Sequence, residues 1–274
     1  MKYMGQFNVL RQGNITIHSY QCPDDSEMVC SQVIESHNRL VLIDAQQFVP
    51  YAQELRMYMA RLNKPIDRII ITHSHPDHWM GSVVFEDLPI YSLKETREEI
   101  ASIGDYLVFL KRKEVEDMAG YHKVVPSRVL SEGDLVIDGL RYRLTRVVDA
   151  EMANMLVIEL PDLKVLLAQD LIYNRVYPCV GEKNAQGEFL FDGWVKALRE
   201  FQQRDYEWVV PGHGEPTNKD VFEEMITYIL YAKQLFESGM DDKSFKQTLM
   251  LKYPHYRVEQ LLDISNLFLY HRNW

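Results

Sequence analysis

Apolar positions in the first 45 residues come in short runs, "NITIHSY", "MVCSQVIES" and "RLVLIDA", separated by Gly13, by Pro23 with Asp24 and Asp25, and by the polar pair His37 and Asn38. Runs rich in β-branched and aromatic residues, bounded by turn formers, predict successive strands joined as hairpins. Over 50–62 the pattern changes: Leu55, Met59 and Leu62 recur at helical spacing, and 66–72 then returns to an apolar strand. Ile100, Ile103, Leu107 and Leu110 are in phase within 94–119 and predict one or two helices. Strands are expected at 128–130, 135–137, 142–148 and 155–160, then at "KVLLAQD", with Gly133 and Gly139 marking turns. A helix at 194–201 leads to the strand "YEWVV" and the loop "PGHG". From 221 to 274 the chain reads as helices. Phe222, Met225, Ile226, Ile229 and Leu230 share one face, and Leu261, Leu262, Ile264, Leu267 and Phe268 another.

Composition narrows this mixed α/β reading without changing it. Hydrophobic residues make up 46% and charged residues 26%, values of a chain that folds in water around a sizeable core. No repeat, low-complexity tract or linker divides it. The formal net charge of −10 opposes sequence-independent binding to a phosphate backbone, so a nucleic acid partner is not expected. The run Lys111–Lys113 is followed at once by Glu114, Glu116 and Asp117, the pattern of a solvated helix face. No apolar segment is long enough to span a bilayer, and Gly5, Gln6 and Asn8 interrupt any leader-like run at the start. Three cysteines without paired spacing, Cys22, Cys30 and Cys179, predict free thiols and a cytoplasmic protein.

The chemistry concentrates in "THSHPDHWMG", directly after Ile69, Ile70 and Ile71. His, Asp and Glu residues just after apolar runs form a short set: His73, His75, Asp77 and His78; Asp149 or Glu151; Asp170; His213. Side chains at the ends of several strands can converge on one sheet edge. Neutral imidazole and carboxylate are the common protein ligands of zinc, manganese and iron. Alternation puts His73 and His75 on one side of an extended segment, while Asp77 and His78, beyond Pro76, can begin a helix and face a second point. One loop can therefore serve two metal ions, and two ions ~3.5–4 Å apart can hold a bridging hydroxide.

This arrangement resembles the metallo-β-lactamase superfamily, whose hallmark is H-x-H-x-D-H after a strand. The likeness runs from about Phe7 to Gly214 and includes "LVLIDA", "LLAQD" and "VVPGHG". It implies a four-layer αββα sandwich over 1–217, with 218–274 as a helical extension packed on the same domain. It further implies two divalent ions, zinc first with manganese or iron as alternatives. His73 and His75 would bind the first, Asp77, His78 and His213 the second, and Asp170 would bridge them. Asp170 and Asp77 are the expected catalytic carboxylates, Asp77 assisting with the proton. Asp44 is expected to orient the ligand loop, and Gln46 stands where the family often has glycine.

One ligand departs from the family pattern. The third histidine of the first metal, usually in a "GHT" loop, is missing: the chain has no histidine between His122 and His213. The corresponding loop offers Asp149 and Glu151. Glu151 is favoured because its longer side chain reaches where an imidazole nitrogen would sit, and because its spacing from Asp170 is one seen in the family. Asp149 is the competitor. A carboxylate there brings the cluster of four imidazoles, three carboxylates, two divalent ions and a hydroxide to zero net charge. Less positive charge makes weaker Lewis acids and a less acidic bound water, and hardens the first site toward manganese or iron.

The expected function is hydrolysis by metal-bound hydroxide of an ester, lactone, thioester, β-lactam or phosphodiester, with a small-molecule substrate and a homodimer as the one assembly considered. The rivals are an iron-dependent oxidoreductase of sulfur-dioxygenase type and a non-catalytic binding protein that kept the fold. Tyr173, Tyr177 and Trp194 are candidates for a pocket wall, and Cys179 a bystander.

Overall fold

Several segments are apolar at consecutive positions rather than alternate ones, and a strand of that kind has to be covered on both faces. In the computed structural model, which describes residues 4–271, these segments are the central strands of two stacked sheets. The first sheet has the spatial order β1 (Gln6–Gln12), β2 (Ile15–Gln21), β3 (Cys30–Glu35), β4 (Leu40–Ile43), β5 (Ile66–Ile71), β6 (Ile90–Ser92), β7 (Arg128–Val129). Its first four strands pair antiparallel and the rest parallel. The second sheet runs β12 (Trp208–His213), β11 (Val165–Tyr173), β10 (Asn154–Leu160), β9 (Leu140–Val148), β8 (Gly133–Ile137), and is antiparallel except for the parallel pair β11–β12.

Alternation sorts the side chains into three apolar layers. Val41, Ile43, Ile70, Leu156, Ile158, Val165 and Leu167 meet between the sheets. Leu40, Leu42, Ile69 and Ile71 point the other way, onto α1 (Val49–Arg61) and α3 (Lys94–Val115), which contribute Leu55, Met59, Ile100 and Val108. On the far side, Met155, Val157, Leu166 and Ala168 pack under α4 (Phe191–Gln202), α5 (Val221–Glu237), α6 (Asp242–Lys252) and α7 (Gln260–Asn266). The four layers are therefore helix, sheet, sheet, helix, and the C-terminal helices share the outer core of the second sheet.

The strands β1 and β6 carry no periodicity that could have predicted them. Edge strand β1 leaves Val9 42% exposed, so its sequence QFNVLRQ lacks a buried face, and β6 is only three residues long. The segment expected as one or two helices at 94–119 is a single helix ending at Val115, where Glu116 takes a left-handed φ of 53°. Residues 1–3 of the leader-like stretch and 272–274 of the expected C-terminal helices lie outside the described residues. No helix among the described residues is long and apolar enough to cross a membrane.

Candidate metal centre

Parallel pairing of β4 with β5 sets Ile43 opposite Ile70, so Asp44, one step beyond β4, lies beside Thr72, one step beyond β5. Asp44 adopts a left-handed φ of 58°, and its carboxylate is fully used. Oδ1 accepts from the Thr72 backbone N–H at 2.8 Å, and Oδ2 accepts from the Thr72 hydroxyl and from His78 Nδ1, each at 2.8 Å. Gln46 also sits in left-handed backbone, φ 68°, where glycine would be unstrained. Its buried amide compensates by donating to Ser31 Oγ at 2.8 Å and to the Val29 carbonyl at 3.3 Å. A hydrogen bond ties this point to the other sheet, where Leu156 N–H donates to the Thr72 carbonyl at 2.9 Å.

After Thr72 the segment bends at His73 and is extended at His75, and Pro76 opens the short helix α2 (Pro76–Trp79). That switch turns Asp77 and His78 away from the line of His73 and His75. Two groups of side chains result: His73, His75, Glu151 and Asp170, and Asp77, His78, Asp170 and His213. Within each, one ligand atom per residue lies within 4.8 Å of the others. Asp170 is common to both, with Oδ2 3.6 Å from His73 Nε2 and 3.3 Å from His213 Nε2, and Oδ1 3.0 Å from His78 Nε2. Asp77 Oδ2 is 3.3 Å from both His78 Nε2 and His213 Nε2. His75 turns Nδ1 toward Glu151 Oε1 at 3.4 Å. Among the described residues Asp149 belongs to neither group. It is half-buried in a turn with a left-handed φ of 54°, while Glu151 is 1% exposed.

Ring tautomers follow from the outer partners. Carboxylate and carbonyl oxygens only accept, so His78 Nδ1 carries a proton toward Asp44, and His213 Nδ1 carries one toward the Glu27 carbonyl at 2.8 Å. Their Nε2 atoms then face the cluster. Gly212 permits the approach of β12, because a Cβ there would stand 1.9 Å from Asp170 Oδ1.

These residues fit a cation. Nε2 of His73, His75 and His78, both oxygens of Glu151 and Oδ1 of Asp170 are sealed from solvent and make no hydrogen bond. Burying one such atom unpaired costs about 1–3 kcal/mol, so a cluster of them calls for a positive charge to face it. The titration behaviour points the same way. Burial depresses His213, but Asp170 and Asp77 outweigh it and raise the ring to about 10. For His75 burial is likewise overcome, chiefly by Glu151, again to about 10. Burial pushes Glu151 up to about 8, with His75 opposing and Asp170 adding to the shift. Burial opposes ionisation of Asp170, yet His78, His213 and His73 hold it well below the ordinary range. A field that draws protons onto imidazoles in this way also draws a divalent ion in their place.

Three participants had no sequence signal. Glu27, in left-handed backbone at φ 63°, fixes His213 through its carbonyl. Thr72 links Asp44 to the loop, and Glu182 Oε1 lies 3.8 Å from His75 Nε2. Tyr173 does reach the site, though not as a pocket wall. Its hydroxyl donates to Asp170 Oδ2 at 2.9 Å, and its ring stacks on His213 with centroids 4.6 Å apart. Tyr177 and Trp194 are instead parts of the outer core, their polar tips donating to the Tyr253 and Leu171 carbonyls.

The fold and this cluster define a class. The chain belongs to the metallo-beta-lactamase superfamily, whose family model matches residues 29–213. Its sequence is similar to a linear primary-alkylsulfatase of Pseudomonas sp. (strain ATCC 19151), 24% identical over 230 residues. The match covers 71% of this chain and 43% of the relative, so the chain spans less than half of that protein's length. A metallo-beta-lactamase from Pontibacter korlensis superposes with a TM-score of 0.63 at 20% identity, over 82% of this chain and 99% of the other. The metallo-beta-lactamase FIM-1 from Pseudomonas aeruginosa, in a mono-zinc form, gives 0.62 at 16% identity over 84% and 96%. Both likenesses are of fold.

Proposed function

We propose that the chain is a metal-dependent hydrolase in which His73, His75 and Glu151 hold one divalent ion, Asp77, His78 and His213 a second, and Asp170 is shared. The observation that carries this reading is the convergence of seven such side chains from the loop after β5, the turn at 149–153, β11 and β12, with buried ligand atoms that make no hydrogen bond. Ions bound there supply Lewis acidity and a water that can lose its proton near neutral pH. Zinc is the favoured metal. A carboxylate in place of a third imidazole moves the first group toward manganese or iron.

The protein's own groups divide the remaining work. Asp44 and the Glu27 carbonyl hold His78 and His213 as Nδ1–H tautomers, leaving Nε2 free to bind. Tyr173 fixes Asp170. Asp77 is the most open of the three carboxylates, its side chain 9% exposed against 1% for Asp170 and 0% for Glu151, and it is the group placed to take and return a proton. Residues 1–217 form the catalytic unit in this reading and 218–274 a helical extension on the same core. Three buried, unbridged cysteines support a cytoplasmic location.

The test is metal quantification followed by a panel of ester, lactone, thioester, β-lactam, phosphodiester and alkyl sulfate substrates, run with zinc, manganese and iron. The alkyl sulfate arm is motivated by the alkylsulfatase relative. Hydrolysis of one class, reduced at least about a hundredfold in Asp170→Asn and His213→Ala, is the expected result. A protein that takes up no divalent ion overturns the proposal, as does one that holds only iron and consumes oxygen without hydrolysing any ester.

A further inference from the structure

Helix α3 buries Thr96, Ile100, Gly104 and Val108 against the first sheet, and this accounts for only one of its faces. On the opposite face Ile103, Tyr106, Phe109 and Leu110 stand 41%, 57%, 53% and 43% exposed. Ile103, Tyr106 and Phe109 are three residues apart and Tyr106 and Leu110 four, so they form one continuous ridge rather than scattered exposures. Charge is graded along the same helix. Its first turns carry Glu95, Glu98 and Glu99 beside Lys94 and Arg97, and its last carry Lys111, Arg112 and Lys113 beside Glu114. Tyr106 is the midpoint: Glu99 lies seven residues before it and Lys113 seven after, both exposed on the ridge side.

We infer that this ridge is the interface of a two-fold homodimer in which α3 packs antiparallel on α3 of a second copy, Tyr106 on Tyr106. A two-fold contact requires a patch complementary to itself. Antiparallel packing centred on Tyr106 meets that requirement, because it lays Ile103 against Phe109 and Leu110 of the other copy and Glu99 against Lys113. A lipid surface is a poorer match. It would select basic residues along the whole polar margin, whereas half of this margin is acidic and the chain carries −10 overall.

The contact is small. Four half-exposed side chains offer ~400 Å², and the flanking stems bring this to ~600 Å² per copy, or ~1,200 Å² in total, the lower limit for a specific interface. An interface at that lower limit is of the weak, transient kind, so dimers form reversibly with concentration in the ~μM range.

Sedimentation velocity of the full chain over about 1–200 μM brackets that affinity. The expected result is a monomer–dimer equilibrium weakened at least tenfold by Tyr106→Arg. Glu99→Lys and Lys113→Glu should each weaken it through like charges, and an equal mixture of the two variants should restore dimers, because only the mixed pair is complementary at both ends. Circular dichroism checks the fold of each variant. Since Glu99 also accepts from Ser74 Oγ at 2.8 Å, Tyr106→Arg and Lys113→Glu decide the matter if Glu99→Lys misfolds. A protein monomeric across the range overturns the inference, and so does a dimer indifferent to Tyr106→Arg and Lys113→Glu. A monomer that binds phosphatidylglycerol vesicles, with binding lost in Tyr106→Arg, assigns the ridge to lipid and overturns it equally.

Discussion

Asp44→Asn isolates the contribution of ring orientation to metal affinity, because it changes one atom and no ligand. The wild-type carboxylate accepts three hydrogen bonds, two from Thr72 and one from His78 Nδ1, all at 2.8 Å. In the variant, Oδ1 still accepts from the Thr72 backbone, but an NH2 group replaces Oδ2. The Thr72 hydroxyl can rotate to become an acceptor. His78 Nδ1 cannot keep its proton against a donor, so the ring must shift that proton to Nε2, the atom that faces Asp77 and Asp170. Flipping the amide only moves the clash to the Thr72 N–H. Loss of an outer partner of this kind typically costs 10–100-fold in metal affinity, about 1.4–2.7 kcal/mol. Competition against a chromophoric chelator measures that loss. A variant that binds metal within twofold of wild type would show that Asp44 does not set the ring.

Gly212→Ala should displace Asp170, since its Cβ would stand 1.9 Å from Oδ1 and 2.7 Å from the Gln169 carbonyl carbon. Overpacking against fixed backbone costs about 1–3 kcal/mol, and both urea unfolding and metal stoichiometry should fall. Leu167→Ala, between the sheets and fully buried, should cost about 2–5 kcal/mol in urea unfolding, with little loss expected for the exposed Leu251→Ala. Asp138 tests pH dependence away from the metal centre. Hydrogen bonds from the Asn38 backbone, the Asn38 amide and the Ser36 hydroxyl hold its carboxyl at about 2. Because that value is depressed, its stabilising effect is complete above the ordinary carboxylate range of ~4 and is lost as pH falls toward 2. The stability gap between wild type and Asp138→Asn should therefore be flat from pH 7 to about 5 and narrow below about 4. A gap independent of pH would contradict the assignment.

Much of the candidate site was legible because its residues follow a rule that the sequence expresses locally. Ligand types placed one or two steps beyond an apolar run project from a strand end, and His73 to His78 do so, whereas His213 closes β12 and Asp170 stands inside β11, which runs three residues further than its apolar run suggested. In the sequence the preference for Glu151 over Asp149 rests on reach and on the spacing from Asp170. The geometry of the two depends on a turn at 149–153 whose left-handed residue and hydrogen bonds leave no periodic trace. Tyr173 was visible only as an aromatic near Asp170, since a contact three residues along an irregular strand has no signature in spacing. Glu27 was invisible because it acts through a backbone carbonyl, which every residue possesses.

By itself the sequence determined which strands lie between two covering layers and which residues carry metal-binding chemistry. Apolar runs must be buried on both faces, and imidazole and carboxylate keep their affinities wherever they stand. Only the tertiary structure decided that these groups meet. Parallel pairing of β4 with β5 and of β11 with β12 brings Asp44 beside Thr72 and Asp170 beside His213, and register between distant segments is set by packing of the whole sandwich. The exposed ridge on α3 belongs to the same category. Its apolar residues are in phase for a helix, and it takes the folded layers to show which of them are left facing water.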